Sequence, residues 1–479
     1  MVKDLRSFIQ DWEEIHPEDT IIIDKPVNVK YDTAALQQKL EKQGLFPVLI
    51  FKCPVNVDGK ESPFPLLCNL LASRRRCAES IGTSSERVAM DYVQKISKRI
   101  RPQVIGRSEA PVKEVIEKGD GVDLFQFPVP VHHENTSGRE ITGSYITTAD
   151  PETGIDNTAC QRGEILTRNL MVPFIGGGSH NARNVAKWWA QGKDAPVAMW
   201  IGHHPAACIG GQVKLGYPES HWDATGGLLG EPLRLVPTET WGETLLVPAD
   251  AEIVIEGIIP REKWAAGGQF GDWARYLIPS HPRGLMQVTC VTYRKNAYFH
   301  DIVTGCADHQ VGGSFAIAAA VYSACKRVAP EVANVYMPLS GMCRTTVYIQ
   351  VEKPRPGRVR AIIHNALTAD PRIKTVCVVD DDVDIFDERE VLWAIATRAH
   401  FDQDIVLVDG VPSSAMNPST RSESVATKMG IDCTLPPSRD SEIPSHYQMA
   451  MRVPREALDR VDLGDFVPGD KIKNMLREY

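Results

Sequence analysis

Apolar and polar residues alternate with a helical period over 4–15, which predicts an opening helix. "TIIIDKPV" (20–27) follows as a strand closed by Pro26, then a helix over 31–44 that stops at Gly44, and a short buried strand over 46–51. The run "PLLCNLLASRRRCAESIG" (65–82) has helical spacing with Gly82 as its stop, so the first 112 residues read as an α/β unit. From residue 113 the pattern changes to short β-type runs split by Gly, Pro and Asn, as in "GREITGSYITTADPETGIDNTACQRGEIL" and "GLMQVTCVTYRKNAYFHDIV". Such runs predict an antiparallel barrel or sandwich. One helix interrupts it over 179–193, preceded by Gly176, Gly177 and Gly178. The last third alternates again: strands over 345–352 and 375–386, helices over 358–368 and 388–399. Residues 410–447, rich in Pro and Ser, read as a long surface excursion before short closing helices. The expected division is therefore 1–112, 113–320 and 321–479, a multidomain chain of α/β and α+β type.

Length agrees, since 479 residues exceed what one hydrophobic core supports. A net charge of -8 argues against a nucleic-acid partner, which needs clustered cations. The single basic triplet, Arg74 to Arg76, reads as a solvated helix face. Eleven cysteines without a C-x-x-C pair fit reduced thiols, and with no apolar run of membrane length the expectation is a soluble cytoplasmic protein.

Candidate chemistry lies in the β-rich middle. "DNTACQR" places Asn157 and Arg162 on one strand or its edge, and His180 opens the helix after the three glycines. A helix N-terminus offers free N–H groups and a favourable dipole to an anion such as phosphate. "YPESHWDATGG" adds His221 with Glu219 and Asp223 alongside, and an amide with imidazoles and carboxylates suits a divalent cation such as Mn²⁺ or Fe²⁺. An inward-facing Arg162 needs an anionic partner. Asp272, in "GGQFGDWARY", either caps a turn after Gly271 or carries a proton beside Arg162. No Ser-His-acid elbow, Walker loop, G-x-G-x-x-G or H-E-x-x-H is present, so an anion site and acid–base groups stand without a nucleophile, which points to a borrowed cofactor.

The segments "FPLLCNLLASRRR", Asn157-x-x-x-x-Arg162, "SHNARNVAKWW", "VPADAEIVIEG", "GQFGDW" and "DDDVDIFDEREVLWAIATR" resemble, in this order, the UbiD-type decarboxylases that use prenylated FMN. The resemblance implies an N-terminal α/β domain, a central split β-barrel of flavin-reductase type, and a C-terminal α/β domain whose terminal helix reaches a partner subunit in a dimer or hexamer. It implies that Asn157 and His180 bind the metal clamping the cofactor phosphate, with His221 at the third position, Ser179 and Arg162 also at the cofactor, and K⁺ nearby. Arg162 and Asp272 become the catalytic pair. A further family acid is replaced by Gly267. Lys214, Arg275, His300 and His309, each more simply a surface residue, are then candidates to bind a second substituent of the substrate. The implied reaction is reversible non-oxidative decarboxylation of an aromatic, heteroaromatic or α,β-unsaturated acid, including an aromatic acyl-CoA with a free carboxylate, through a covalent prenylated-FMN adduct. A UbiX-like flavin prenyltransferase would supply the cofactor. The alternatives are a redox protein using ordinary FMN and a catalytically silent scaffold.

Overall fold

The structure, a computed structural model, describes residues 2–136, 138–279, 281–435 and 451–467. Met1–Cys433 forms one compact unit and Thr434–Tyr479 a second.

The opening helix is Leu5–Ile15. Asp4 and Ser7 close its N-terminus reciprocally, the Ser7 N–H donating to Asp4 at 2.8 Å and the Asp4 N–H to Ser7 at 3.1 Å. Leu5, Phe8, Ile9 and Trp12 are buried on one face. Arg6 donates to the fully buried Glu252 at 3.0 and 2.9 Å, and Glu252 also accepts from the Tyr298 N–H at 3.0 Å and Arg294 at 3.4 Å. Removing one member of such a buried pair strands the other charge, so Glu252→Ala is expected to cost about 3–5 kcal/mol in chemical unfolding. A loss under about 1 kcal/mol would show that the arginines re-solvate freely.

The first sheet orders strands Thr20–Ile23, Val48–Phe51, Leu66–Cys68 and Phe299–His300. The expected helix over 65–82 is therefore corrected. Leu66–Cys68 pairs antiparallel with Val48–Phe51, Asn69 turns the chain at φ 63°, and helix begins only at Arg74, capped by Ser73. A continuous apolar run satisfies strand and helix alike, and here burial on both sides of the sheet decides. The basic triplet is corrected too. Arg76 is fully buried, donating to the Leu70 carbonyl at 3.0 Å and the Phe46 carbonyl at 3.0 Å and pairing with Asp19, while Arg74 stacks on Phe315, Tyr336 and Phe386. Only Arg75 meets the solvated-face expectation, paired with Glu79 at 2.7 Å.

The central sheet has nine strands. Along its path run Asp156–Cys160, Ser144–Ala149, Ala195–Ile201, Ile253–Ile259, Met286–Tyr293, Leu170–Pro173, Gly163–Ile165 and Glu140–Ile141, every pairing antiparallel, with Val115–Lys118 added to Met286–Tyr293. The sheet curls into a half-barrel. Asp156–Cys160 stands at one end of the path and Gly163–Ile165 near the other, yet only Gln161 and Arg162 separate them in sequence. Arg162 thus sits at the seam where the curl brings the two ends together.

Helix Ala307–Val328 leads to a sheet ordered Val332–Tyr336, Thr346–Val351, Thr375–Asp380, Val425–Asp432 and Ile405–Pro412, with helices Arg358–Ala369 and Glu388–Arg398 where expected. Within the supposed excursion 410–447, Val425–Asp432 is a paired inner strand, because its buried positions pack against helix Arg358–Ala369. Residues 436–447 of that stretch lie outside the described residues, as does the expected terminal helix in "KIKNMLREY". The second unit holds helices Arg455–Arg460 and Leu463–Phe466. Among the described residues no helix is long and apolar enough to cross a membrane.

Candidate active site

Two helix N-termini abut the end strand Asp156–Cys160. Ser179 caps helix His180–Ala190 by accepting from the Ala182 N–H at 3.2 Å, and Ser220 caps helix His221–Leu229 by accepting from the Asp223 N–H at 3.2 Å. The Asp156 carboxylate accepts from Ser220, from the His221 N–H at 2.9 Å and from the Trp222 N–H at 3.2 Å, which ties the second helix to the strand. Asn157, buried on the same strand, donates to the Asn181 side-chain oxygen at 2.7 Å, which ties the first. Its amide nitrogen is so engaged, and its oxygen is the pole left to act as a ligand. Asn157, His180 and His221 are therefore brought to one end of the sheet.

Both imidazoles are kept neutral. Burial and the nearby Arg183 lower the pKa of His180, whose ring meets Tyr217 edge-on at 5.2 Å. Burial pushes His221 down to about 4, with His180 adding to the effect. The His221 Nε2 lies 3.2 Å from the Val213 carbonyl, an acceptor only, so that nitrogen carries the proton. Nδ1 is left a buried lone pair without a partner. Glu219 is committed elsewhere, to Arg99 at 2.7 Å and the Gly216 N–H at 2.9 Å.

Arg162, at the seam, is 9% exposed and donates to the Gly271 carbonyl. Its guanidinium lies 3.4 Å from Glu140 and 3.8 Å from Asp272, with Phe270 beneath it at 4.9 Å. Asp272 closes the turn and also stands beside Arg162: one carboxylate oxygen accepts from the Trp273 N–H at 2.6 Å, and the other faces Arg162. Paired strands Phe270–Gly271 and Leu277–Ile278 present it at the tip of a hairpin. Gly271 is required there, since an added Cβ would lie 2.9 Å from the Thr304 hydroxyl and 3.1 Å from the His133 ring. Beside this tip opens a cleft of about 410 Å³ lined by Glu41, Lys42, His133, Asp272, Arg275 and Thr304.

Several further groups complete the surroundings of Arg162. Glu140, 6% exposed and directly opposite Glu164 on the neighbouring strand, has its pKa raised by burial against the pull of Arg162 and His132. One of its oxygens is buried without a partner. Glu164 accepts from the Gly268 N–H at 2.8 Å, so an acid supports the loop beside Gly267. His132 meets the buried Asp301 at 2.8 Å, and Asp301 also accepts from Thr142 at 2.7 Å. A glutamate inside the β-type run "GREITGSYIT" was the available signal for Glu140.

The four outlying candidates fare differently. Lys214 pairs with Asp370, and Arg275 with Glu41 at 3.3 Å. The surface expectation is corrected for His300, fully buried with both ring nitrogens unpartnered, because Phe299–His300 adds to the first sheet. It is corrected also for His309, whose ring accepts from the Gly305 N–H at 3.3 Å and whose pKa is driven down by burial and by Arg162.

Three family models cover the chain: the N-terminal domain of 3-octaprenyl-4-hydroxybenzoate carboxy-lyase over 16–96, its Rift-related domain over 103–307 and its C-terminal domain over 310–433. The chain belongs to the UbiD family of carboxy-lyases. Among UbiD-class structures, HmfF from Pelotomaculum thermopropionicum in complex with FMN shares 28% identity and superposes with a TM-score of 0.88, covering 97% of this chain and 100% of that one. Its evolved dimeric form in complex with prenylated FMN shares 27% identity with a TM-score of 0.86, over 97% of this chain and 100% of that one. Anhydromevalonate phosphate decarboxylase of Methanothermobacter thermautotrophicus is 25% identical over 88% of this chain and 95% of its own. The curled sheet is thus that of a UbiD-family enzyme.

Proposed function

We propose that this chain is a prenylated-FMN-dependent decarboxylase acting on an aromatic, heteroaromatic or α,β-unsaturated carboxylic acid. One observation carries the reading: at the seam of the half-barrel a buried guanidinium stands between Asp272 and Glu140, next to two capped helix N-termini with neutral histidines. In this reading the curled sheet is a split barrel of flavin-reductase type, and 1–112, 113–320 and 321–479 are its functional divisions. The fold's resemblance to proteins bound to FMN and prenylated FMN supports that choice of cofactor.

The donor set fits a divalent cation, Mn²⁺ or Fe²⁺, at the cofactor phosphate. Neutral imidazoles are the ligating form, and the buried His221 lone pair lacks any protein partner. Asn157, His180 and His221 would hold the metal, Ser179 and the helix N-terminus the phosphate, with K⁺ alongside. His221→Ala is expected to lower metal content of the purified protein on the order of tenfold or more, with flavin falling in parallel. Full retention of both by elemental analysis and absorbance would contradict the assignment of His221.

When bound, prenylated FMN supplies the electron sink that sp² decarboxylation otherwise lacks. The chain's residues do the rest. Arg162 binds and orients the substrate carboxylate through its planar fork. Burial of Arg162 and Glu140 keeps water from the guanidinium on the side away from the cleft. Asp272 delivers a proton to the carbon that carried the carboxylate, and Glu140, with its pKa raised by burial, shares Arg162 and holds it in place. A UbiX-like prenyltransferase supplying the cofactor, a homodimer or hexamer, and a cytoplasmic setting complete the proposal. Its test is a panel of benzoic, phenolic, furoic and cinnamic acids given to protein co-expressed with a flavin prenyltransferase. Release of carbon dioxide from at least one acid, dependent on the co-expression, is expected; a panel left unconsumed would contradict the reading.

A further inference from the structure

The strand Pro282–Gly284, paired with Trp264–Ala266 at the base of the Asp272 hairpin, carries Arg283 opposite Ala265. Its guanidinium carbon lies 4.3 Å from the centre of the Phe174 ring and 5.5 Å from that of Phe270. Those rings meet edge-on at 4.6 Å, and Phe270 is the ring under Arg162. The Phe174 N–H donates to the Arg162 carbonyl at 2.8 Å, so both arginines belong to one seam. Arg283 nevertheless has a buried guanidinium nitrogen, Nη1, with no hydrogen-bond partner. Burial and the charge of Arg162 both oppose its ionised form, and Glu140 only partly offsets them.

A guanidinium remains charged in a protein, so a buried donor on it without an acceptor is a cost that needs an explanation. The aromatic rings stabilise the cation through its faces but accept nothing from its N–H edge. The acid whose charge reaches it, Glu140, turns one oxygen to Arg162, and its other oxygen makes no hydrogen bond to Arg283. The geometry points to Arg283 as a second oxyanion-recognising residue of the site, donating to a carboxylate or phosphate oxygen of the bound molecule that Arg162 does not take. Ring stacking fixes the plane of the fork, which favours a planar or bidentate acceptor. Two sources share this chemistry: a second acidic group on the substrate, or the phosphate of the flavin. The inference rests on the reading of the site as one that binds a carboxylic acid and a flavin. It concerns specificity, not the proton step.

The test uses the full chain purified without added cofactor and follows intrinsic tryptophan fluorescence. Benzoate is compared with isophthalate, and riboflavin with FMN, for wild type and Arg283→Gln. If the partner is a second substrate acid, wild type binds isophthalate at least tenfold more tightly than benzoate, and the variant loses that gap while the riboflavin–FMN gap stays. If the partner is the phosphate, the variant instead loses at least tenfold of the FMN advantage and leaves riboflavin binding unchanged. Either outcome supports the inference and identifies the source. Both gaps unchanged in the variant would overturn it and leave Arg283 closing on Glu140. Should the glutamine variant fail to fold, Arg283→Lys serves in its place: the fork is lost with the charge kept, at least a threefold loss of one gap is expected, and no loss overturns the inference. Failure of the acid panel to turn over while the isophthalate gap persists would fail the decarboxylase reading and leave this one standing.

Discussion

Replacing Asp272 with asparagine is expected to lower turnover on the order of 10²–10⁴-fold while the flavin that co-purifies stays at the wild-type level. The substitution isolates proton delivery. An amide oxygen still accepts from the Trp273 N–H, so the 2.6 Å contact that shapes the hairpin tip survives. The contact with Arg162, at 3.8 Å, loses its charge but not its geometry. Asn157, His180 and His221 stand on the end strand and its two helices, apart from the hairpin, so the proposed phosphate and metal groups are untouched. Activity above about a tenth of wild type would contradict the role of Asp272, because general acid catalysis contributes far more than tenfold.

Arg162→Gln is expected to raise KM and lower kcat/KM on the order of 100-fold or more, since an oriented carboxylate loses its bidentate partner. Glu140 and Asp272 then face one another's charge without the cation between them. The variant is also expected to lose about 3–5 kcal/mol of stability, the usual result of stranding a buried charge. Arg162→Lys separates the two effects. It retains the charge and hence most of the stability, but a point charge cannot reproduce the fork, so KM remains elevated. A lysine variant with wild-type KM would show that charge alone places the substrate.

Much of this is legible because period and turn residues are local. The helices over 4–15 and 179–193 show in the apolar period, and the structure places them at Leu5–Ile15 and His180–Ala190, with Asp4 and Ser179 as their caps. Asn157, Arg162, His180 and Asp272 are visible as polar residues in a β-rich context, and they sit on the end strand, at the seam, on a capped helix and on the hairpin beside Arg162. What escaped was set by long-range pairing. Glu140 reaches Arg162 only because the sheet curls, and Arg283 reaches the same ring as Arg162 across more than a hundred residues. Arg76 departs from the solvated-face expectation for the same reason: its partners are Asp19 and the carbonyls of Leu70 and Phe46, distant or backbone acceptors that composition never displays. His300 reads as a surface group because nothing local reveals that two residues after the half-barrel add to the first sheet.

The most direct measurement is the identity of the cofactor held by the protein after co-expression with a flavin prenyltransferase and anaerobic purification, read by absorbance and by mass spectrometry of the released pigment. Near-stoichiometric prenylated FMN, lost when His221 is replaced by alanine, is the expected result. A protein that emerges colourless, or that holds only unmodified FMN under the same conditions, would contradict the proposed chemistry.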